Sequence, residues 1–268
     1  MSNIAWSVER LQVRDAEIAV YQVGSGRDMV AVHGFQNDHS AWDPLVERLD
    51  QSRFRVTTID LVGCGSSSGA SSWERCTIGE YAADAIAVCD AVGLRSPVAI
   101  GHSLGGAIVL DAALHQPARF SATVLVAPAS TSGMDFLPDE AAFEALAHPT
   151  PDQQRALAGA AFRYPLADGD FAALLAVVAR ATAEHIEGAA TSMRDFVRQD
   201  ELHALAVRAL LVCGDRDRHV PLRNHLATQQ AIPRCGLQVY YDVGHVPFVE
   251  MADRFAADVG RFLANVDG

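Results

Sequence analysis

The sequence predicts an α/β protein: a mostly parallel sheet of eight strands with helices on both faces and an inserted helical segment. Short apolar runs recur along the chain and end in glycine or polar residues, as strands buried on both faces do. Amphipathic helical patterns separate these runs, and this alternation is typical of a parallel sheet. Residues 131–201 break the alternation, because they contain several helical patterns and no strand pattern.

Eight segments of the chain have the character of strands. Residues 6–24 form two extended segments with an alternating pattern that turn near Arg14 and Asp15. Six apolar runs follow, at residues 29–34, 54–61, 97–103, 122–128, 209–215 and 237–243.

The clearest helical pattern spans residues 78–92. Its apolar residues recur at helical spacing on one face: Ile78, Tyr81, Ala85, Cys89 and Val92. Thr77 precedes the pattern and Glu80 follows three residues later, which is the signature of a capping box. The sequence therefore predicts a helix that begins after Thr77 and buries one face.

The composition is that of a globular protein. Half of the 268 residues are hydrophobic and a fifth are charged, which argues against wholesale disorder. A net charge of −12 without a basic cluster argues against nucleic acid or an anionic membrane as a partner. The five cysteines form no CxxC pair and predict reduced thiols rather than disulfides or a zinc site. Because neither a signal peptide nor a membrane-spanning run is visible, we expect a cytoplasmic location.

Residues 131–201 are interpreted as a helical cap inserted into a core formed by residues 1–130 and 202–268. The segment lies between two core strands, which predicts an insertion rather than an independent domain. Selectivity for the substrate is expected to lie in this cap. Its helical patterns cover residues 138–148, 152–162, 170–181 and 182–197.

A buried strand ends in the sequence Gly-His-Ser-Leu-Gly, from Gly101 to Gly105. The pattern G-x-S-x-G between a strand and a helix is typical of a nucleophile elbow. Glycines around the serine remove Cβ atoms that would collide with the neighbouring strand and helix. The hydroxyl would then project above the sheet at a helix N-terminus, where the dipole favours negative charge. We therefore predict that Ser103 is a nucleophile.

A serine nucleophile needs a base, and the base needs an acid that orients it. His245 follows Gly244 directly after the last strand pattern, in the chain order Ser, Asp, His expected for this fold. It is the predicted base. The other histidines are assigned to structural positions. His33 and His102 are expected to pack at glycine turns, and His39 and His219 to lie on loops near the pocket. The remaining five are expected at helix surfaces or ends: His115, His148, His185, His203 and His225.

Two neighbouring aspartates compete for the role of the acid. Asp217 lies further past the strand end than Asp215, just before the loop closes on Val220, so it reaches a histidine more easily. Asp215 is expected to stabilise the turn. Asp135, which follows an earlier strand, is a third candidate.

The oxyanion of the intermediate needs two backbone donors. By position, these are the N–H groups of Leu104 and Phe35. Large apolar side chains of the cap are candidate substrate contacts, although more than half are expected to serve packing. They are Phe136, Phe143, Phe162, Phe171, Met193 and Phe196.

Together, five motifs resemble the α/β-hydrolase superfamily. They are HGF at 33–35, DLVGCGSS at 60–67, GHSLGG at 101–106, GDRDRHVP at 214–221 and GH at 244–245. The resemblance covers nearly the whole chain and is loosest in the cap. It implies the α/β-hydrolase fold and a triad of Ser103, His245 and Asp217.

A second resemblance concerns a subgroup. GFQNDHSAW at 34–42 is similar to a stretch of the RsbQ-like group, which includes bacterial stress regulators and plant karrikin and strigolactone receptors. Residues 60–67 and 81–94 also fit this group, whose receptors cleave or sense butenolide lactones. The run Leu104-Gly105-Gly106 replaces the group's more usual valine and small residues, and is more usual in metabolic esterases and C–C hydrolases.

The expected activity is hydrolysis of a small, fairly apolar carboxylic ester or lactone through an acyl-enzyme. Neither a metal nor an organic cofactor is implied. Hydrolysis of a C–C bond in a vinylogous diketone or of a thioester would use the same triad, and perhydrolase, acyltransferase and cofactor-free oxygenase chemistry also stay open. An alternative of another class is an RsbQ-like signalling protein or receptor that hydrolyses slowly and acts through a protein partner.

Overall fold

Eight strands form a single sheet in the order β1-β2-β4-β3-β5-β6-β7-β8. The structure is a computed structural model that describes residues 4–134 and 140–266. Two predicted candidates, Asp135 and Phe136, therefore lie outside the described residues. The strands are β1 (Ser7–Val13), β2 (Ala16–Gly24), β3 (Arg27–Val32), β4 (Phe54–Ile59), β5 (Val98–His102), β6 (Ala122–Val126), β7 (Arg208–Gly214) and β8 (Cys235–Tyr240).

The helices lie mostly between the strands, as the alternating pattern predicts. They are α1 (Asp43–Val46), α2 (Ile78–Ala91), α3 (Leu104–His115), α4 (Glu140–Ala147), α5 (Pro151–Ala160), α6 (Asp168–Val178), α7 (Ala183–Arg194), α8 (Leu222–Ala231), α9 (Pro247–Glu250) and α10 (Ala252–Ala264). Three short 3-10 helices lie at His39–Trp42, Trp73–Cys76 and Gln199–Ala204.

The pairing of the strands confirms the predicted fold class. β2 runs antiparallel to β1 and β4, and all other neighbouring pairs are parallel. β3 pairs with β4 on one side and with β5 on the other, so the chain crosses over β3 between them. At such a crossing the connections leave a crevice at the carboxyl ends of the strands, which is where α/β proteins bind ligands.

Both faces of the sheet are buried, which explains why its central strands are continuously apolar. In β3, Val30 and Val32 belong to one hydrophobic cluster, while Met29 and Ala31 belong to a second cluster on the opposite face. The first cluster includes buried residues of α2 and α3, and the second includes those of α1 and α10. Because side chains alternate along a strand, a strand buried on both faces is apolar at most of its positions.

The predicted helix at 78–92 forms as α2, with its apolar face buried apart from the half-buried Val92. The side chain of Thr77 accepts a hydrogen bond from the Glu80 N–H, which is one half of the predicted capping box. The Glu80 carboxylate instead accepts a hydrogen bond from Arg14 at 2.7 Å. An ion pair with the turn between β1 and β2 therefore replaces the second half.

Between β6 and β7 the described residues form α4 to α7 and the last 3-10 helix, as the sequence predicts; the boundaries at 131 and 201 stay a prediction. α7 packs against the core, with Ala189 fully buried and the Thr182 N–H donating to the Gly63 carbonyl at 2.9 Å. All five cysteines are free. In the part of the chain that the structure describes, no helix is both long and apolar enough to cross a membrane.

Candidate active site

Ser103 occupies a strained turn between β5 and α3. Its backbone has φ 53° and ψ −115°, a conformation that a non-glycine residue adopts only when its surroundings enforce it. A Cβ added at Gly105 would lie 2.2 Å from the Val32 carbonyl oxygen, and one at Gly101 would lie 2.2 Å from the Gly105 carbonyl oxygen. The start of α3 can approach β5 and β3 this closely only with glycine at both positions.

The structure brings together the predicted base and acid. His245 follows β8, Asp217 follows β7, and the Nδ1–H of His245 donates to the Asp217 Oδ2 at 2.7 Å. The backbone N–H groups of His219 and Val220 donate to the other carboxylate oxygen at 2.8 and 2.9 Å. The loop between β7 and α8 thus wraps around the acid and fixes its plane.

The Asp217 carboxylate is completely buried and ionised. Burial alone would raise its pKa, but the electrostatic interaction with His245 and hydrogen bonds from His225 and His245 outweigh burial and hold the pKa well below the usual value of 3.8. An ionised carboxylate accepts hydrogen bonds only. The proton shared with His245 therefore lies on its Nδ1, which leaves its Nε2 as the basic nitrogen.

Asp215 lies in the turn that its position in the sequence predicts. Its carboxylate accepts a hydrogen bond from the Asp242 N–H at 2.6 Å and lies 3.6 Å from the Arg216 guanidinium. Asp242 has φ 58°, so this bond holds a strained residue at the end of β8. The geometry thus gives the neighbouring aspartates different partners.

The loop that carries His245 is held from two sides. Its N–H donates to the carbonyl of Ala161, which follows α5, at 2.7 Å. Its carbonyl accepts from the His102 Nε2 at 3.0 Å. Within the described residues, the Ser103 hydroxyl makes no hydrogen bond. This is compatible with a role as nucleophile, because in free enzymes the hydrogen bond between nucleophile and base is often long and shortens when substrate binds. Ser103 and His245 open into the same cavity.

The two predicted oxyanion donors are unpaired. Among the described residues, no group accepts a hydrogen bond from the backbone N–H of Phe35 or of Leu104. Phe35 follows β3 and Leu104 begins α3, so these donors come from adjacent strands of the sheet. Unpaired N–H groups beside a nucleophile are what a developing oxyanion requires.

A histidine of α7 supports the loop that carries Phe35. The N–H of Gln36, a residue with φ 52°, donates to the His185 Nε2 at 3.3 Å, and the ring of Phe35 stacks on the His185 ring with centroids 5.6 Å apart. The His185 Nδ1–H donates to the Tyr81 hydroxyl at 2.7 Å, and that hydroxyl donates to the Val62 carbonyl at 2.9 Å. Every polar atom of this chain of hydrogen bonds is satisfied.

The assignment of His185 and His225 to helix surfaces or ends is wrong. Both side chains are buried, because α7 packs on the core and α8 turns this face toward the loop after β7. Burial lowers the pKa of His185 to about 3, and it lowers the pKa of His33 and His102 as well. Burial also lowers the pKa of His219, whose ring contacts that of His245, to about 4.

These neutral histidines predict a loss of stability in mild acid. Below pH 6.5 the unfolded chain protonates His185, whereas the folded chain does so only near pH 3, so the free energy of unfolding falls as the pH falls. At pH 5, protonation of His185 in the unfolded chain alone lowers the free energy of unfolding by about 2 kcal/mol. In urea titrations between pH 7.5 and pH 5.0, His185→Phe should therefore lose about 2 kcal/mol less than the wild type.

The surface control for this experiment is His148→Gln, at an exposed position just after α4. His148→Gln should follow the wild-type pH dependence. An equal loss of stability in His185→Phe and the wild type would show that His185 is not held neutral by burial.

A cavity of about 1070 Å³ opens above Ser103 and His245. Its walls come from the loops after β3, β5, β6 and β7 and from α4 to α7, and they are mostly apolar. This volume is at the upper end for a small-molecule site. The polar residues among the described lining include Gln36, Asn37, Ser130, Arg218 and His219.

The structure separates the predicted substrate contacts. Phe162 and Met193 line the cavity, and Phe136 lies outside the described residues. The other three pack elsewhere: Phe143 against Ala147 and Ala190, Phe171 beneath Arg155, and Phe196 in the core cluster. Small residues that the sequence reading did not single out take their place in the wall, among them Ala142, Ala156, Ala160 and Ala173.

No group of three or more His, Cys, Asp or Glu side chains among residues 4–134 and 140–266 is arranged to hold a metal ion. The cysteine thiols are not activated. Burial raises the pKa of Cys213, at the end of β7, to about 12, and likewise raises that of Cys64 and Cys89.

A serine in a strained turn, a histidine bound to a buried aspartate and two unpaired amides lie at the carboxyl edge of one sheet, which is the arrangement typical of α/β hydrolases. The family model described as the alpha/beta hydrolase family matches residues 29–258. The chain belongs to this family, which confirms the predicted superfamily and makes the protein a hydrolase.

Known relatives agree with this membership. The chain is 28% identical over 255 residues to a pimeloyl-[acyl-carrier protein] methyl ester esterase of Aliivibrio salmonicida, covering 91% of this chain and 95% of that protein. It is 26% identical to a 2-hydroxymuconate semialdehyde hydrolase of a Pseudomonas species, with 92% and 90% covered. The structure matches an esterase of Exiguobacterium antarcticum with a TM-score of 0.88 at 21% identity, over 98% of this chain and 100% of that one.

Proposed function

We propose that the protein is a serine hydrolase that cleaves a fairly apolar carboxylic ester or lactone through an acyl-enzyme. The observation that carries the proposal is the 2.7 Å hydrogen bond between His245 and the buried Asp217, on the same cavity as the strained Ser103. This geometry supports the roles of nucleophile for Ser103, base for His245 and orienting acid for Asp217.

The first half of the reaction makes the acyl-enzyme. The Ser103 Oγ attacks the carbonyl carbon while the His245 Nε2 takes the hydroxyl proton, and the resulting imidazolium is stabilised by Asp217. The N–H groups of Phe35 and Leu104 hold the oxyanion. When the tetrahedral intermediate collapses, the bond to the alcohol oxygen breaks and His245 returns the proton to that oxygen.

The second half uses water in the place of the alcohol. His245 takes a proton from the water, the hydroxide attacks the acyl carbon, and the Ser103 Oγ leaves with that proton. The products are the carboxylic acid and the free enzyme. In a lactone, the alcohol and the acid remain parts of one molecule.

The cavity supports a substrate with an apolar chain. A pocket of about 1070 Å³ with mostly apolar walls is larger than a short ester requires. One similar protein is named as an ester esterase and another as a semialdehyde hydrolase, so substrates of different chemistry are compatible with this similarity. Arg218, a cation in the described part of the cavity wall, favours C–C hydrolysis of an acidic vinylogous diketone as the second candidate.

A panel of p-nitrophenyl esters from acetate to decanoate, γ-lactones, an acyl thioester and a vinylogous diketone tests the proposal. We expect kcat/KM to rise from acetate to octanoate, because each buried methylene contributes about 0.8 kcal/mol, or roughly fourfold. Ala173 lines the cavity, so Ala173→Phe reduces the cavity volume and should move the optimum to shorter acyl chains. Ala172→Phe, the exposed neighbour that does not line the cavity, is the matched control.

Turnover of the diketone without turnover of any ester or lactone would assign the second candidate instead. Hydrolysis limited to about one turnover, together with a ligand-dependent rise in Tm, would support the RsbQ-like receptor class, which stays a prediction.

A further inference from the structure

A second buried histidine contacts the proposed triad acid. His225 lies on α8 with 1% of its side chain exposed, and its Nε2 donates to the Asp217 Oδ2 at 3.1 Å. The same oxygen accepts from the His245 Nδ1 at 2.7 Å. Since an ionised carboxylate accepts hydrogen bonds only, both rings donate to it. One carboxylate oxygen therefore serves two imidazoles.

The arrangement leaves a polar atom of His225 without a partner. Its Nδ1 is buried and makes no hydrogen bond to any described residue. A buried polar atom without a partner destabilises the fold, and an apolar side chain of similar size would avoid this cost. The hydrogen bond to Asp217 is the interaction that compensates for this cost.

We propose that His225 is a positioning residue of the hydrolase. It holds the carboxylate of Asp217 in place and weakens the electrostatic attraction of this carboxylate for the imidazolium form of His245. The inference rests on the triad of the proposed function. With His225, the acid has four donors, because the N–H groups of His219 and Val220 bind its other oxygen. Two donors on each oxygen prevent the carboxylate from turning out of the plane of the His245 ring.

The second donor also changes the electrostatics of the base. A hydrogen bond from His225 withdraws negative charge from the Asp217 Oδ2, and this weakens the attraction between that oxygen and the imidazolium form of His245. His225 therefore limits how strongly the acid stabilises the imidazolium form that arises during the reaction.

Few other charges act on His245. The rings of His102 and His219 contact it, and burial lowers the pKa of both, so they are neutral. The Glu250 carboxylate accepts from the Gly244 N–H at 2.9 Å. Arg218 lines the same cavity as His245, and Asp215 and Arg216 interact with each other in the turn after β7. None of the variants below changes these groups.

Three substitutions of His225 test the proposal, because their side chains differ in whether a donor nitrogen reaches Asp217. Leucine fills space without a donor, and the amide nitrogen of glutamine lies at about the reach of Nε2. The amide nitrogen of asparagine lies at the reach of Nδ1 and falls short of Asp217. Thr228→Val is the matched control, since Thr228 is buried on the same helix and its hydroxyl bonds to Thr131 at 3.0 Å, away from the triad.

The measurement is the pH profile of kcat and kcat/KM with the best ester of the panel, together with Tm. In His225→Leu, we expect the acid limb of kcat/KM to move to higher pH. The plateau kcat should fall about tenfold, the lower end for a hydrogen bond to a charged group, and KM should stay the same because His225 does not line the cavity. His225→Gln should restore both values, and His225→Asn should resemble leucine.

A wild-type acid limb and kcat in His225→Leu would overturn the proposal. So would a glutamine variant that resembles leucine, or an equal change in Thr228→Val, because these results would indicate a structural role alone. Labelling of Ser103 by a fluorophosphonate separates this failure from that of the proposed function. If the wild type hydrolyses esters but Ser103 is not labelled, the triad itself is wrong and the inference falls with it.

Discussion

Ser103→Ala is expected to lower kcat for p-nitrophenyl esters by about 10⁶, to a residual rate set by binding and the oxyanion donors. The variant loses the nucleophile but keeps His245, Asp217 and the cavity. Its fold should be intact, since alanine removes only an oxygen, and the strained backbone at φ 53° is held by its glycine neighbours. The comparison is made by steady-state kinetics at pH 8, with Tm measured on the same samples.

Ser130→Ala is the control for this experiment. Ser130 also lines this cavity, but it does not lie in the turn between β5 and α3, and its hydroxyl accepts a hydrogen bond from Asn224 at 3.0 Å. Its loss should change kcat by less than about tenfold, the effect of one neutral hydrogen bond. If Ser103→Ala retained wild-type kcat, Ser103 would not be the nucleophile.

Asp217→Asn is expected to lower kcat by about 10⁴, as the loss of the acid does in the Ser-His-Asp template. An amide that donates to the His245 Nδ1 places the ring proton on Nε2, and this tautomer cannot accept the proton of Ser103. KM should change little, because Asp217 does not line the cavity. The drop should persist at every pH between 6 and 9.

Asp215→Asn is the matched control, two residues away in the same loop. It keeps an amide oxygen that can accept from the Asp242 N–H but loses the charge, so we expect a fall of about 1 kcal/mol in the free energy of unfolding. Its kcat should stay within tenfold of wild type. The reverse pattern, with catalysis lost in Asp215→Asn and kept in Asp217→Asn, would transfer the role of the acid.

The strands and the elbow are predictable from sequence because their signals are local. A strand buried on both faces is apolar at most of its positions, and the turn at Ser103 tolerates only glycine at close approaches such as Gly105. The preference for Asp217 over Asp215 rested on how far each lies past the strand end, and the structure places Asp217 on His245. In each case a few consecutive residues carry the information.

Features that depend on contacts between distant elements were not predictable. His185 and His225 lie among polar neighbours on α7 and α8, so their helices look exposed, yet α7 packs on the core and His225 meets the loop after β7. The signal that could have found them is a histidine within a buried face, which needs the packing partner to be known. The Glu80 carboxylate bonds to Arg14 for the same reason, since that residue is distant in sequence.

The cavity wall was the hardest part to predict. An apolar helix face has the same periodicity whether it lines a cavity or packs on another helix. Phe143 therefore resembles Phe162 in sequence, although the first packs on Ala190 and the second lines the cavity. Alanines give no local signal, but they create the volume above Ser103 because they are small.

Intact-mass spectrometry after incubation with a fluorophosphonate tests the triad most directly, since it detects the covalent step itself. The structure predicts one adduct per chain, mapped to Ser103 by peptide sequencing, absent in Ser103→Ala and formed much more slowly in Asp217→Asn. The Asp215→Asn chain should label at the wild-type rate. An unmodified chain that still hydrolyses esters, or an adduct on a residue other than Ser103, would contradict the proposed mechanism.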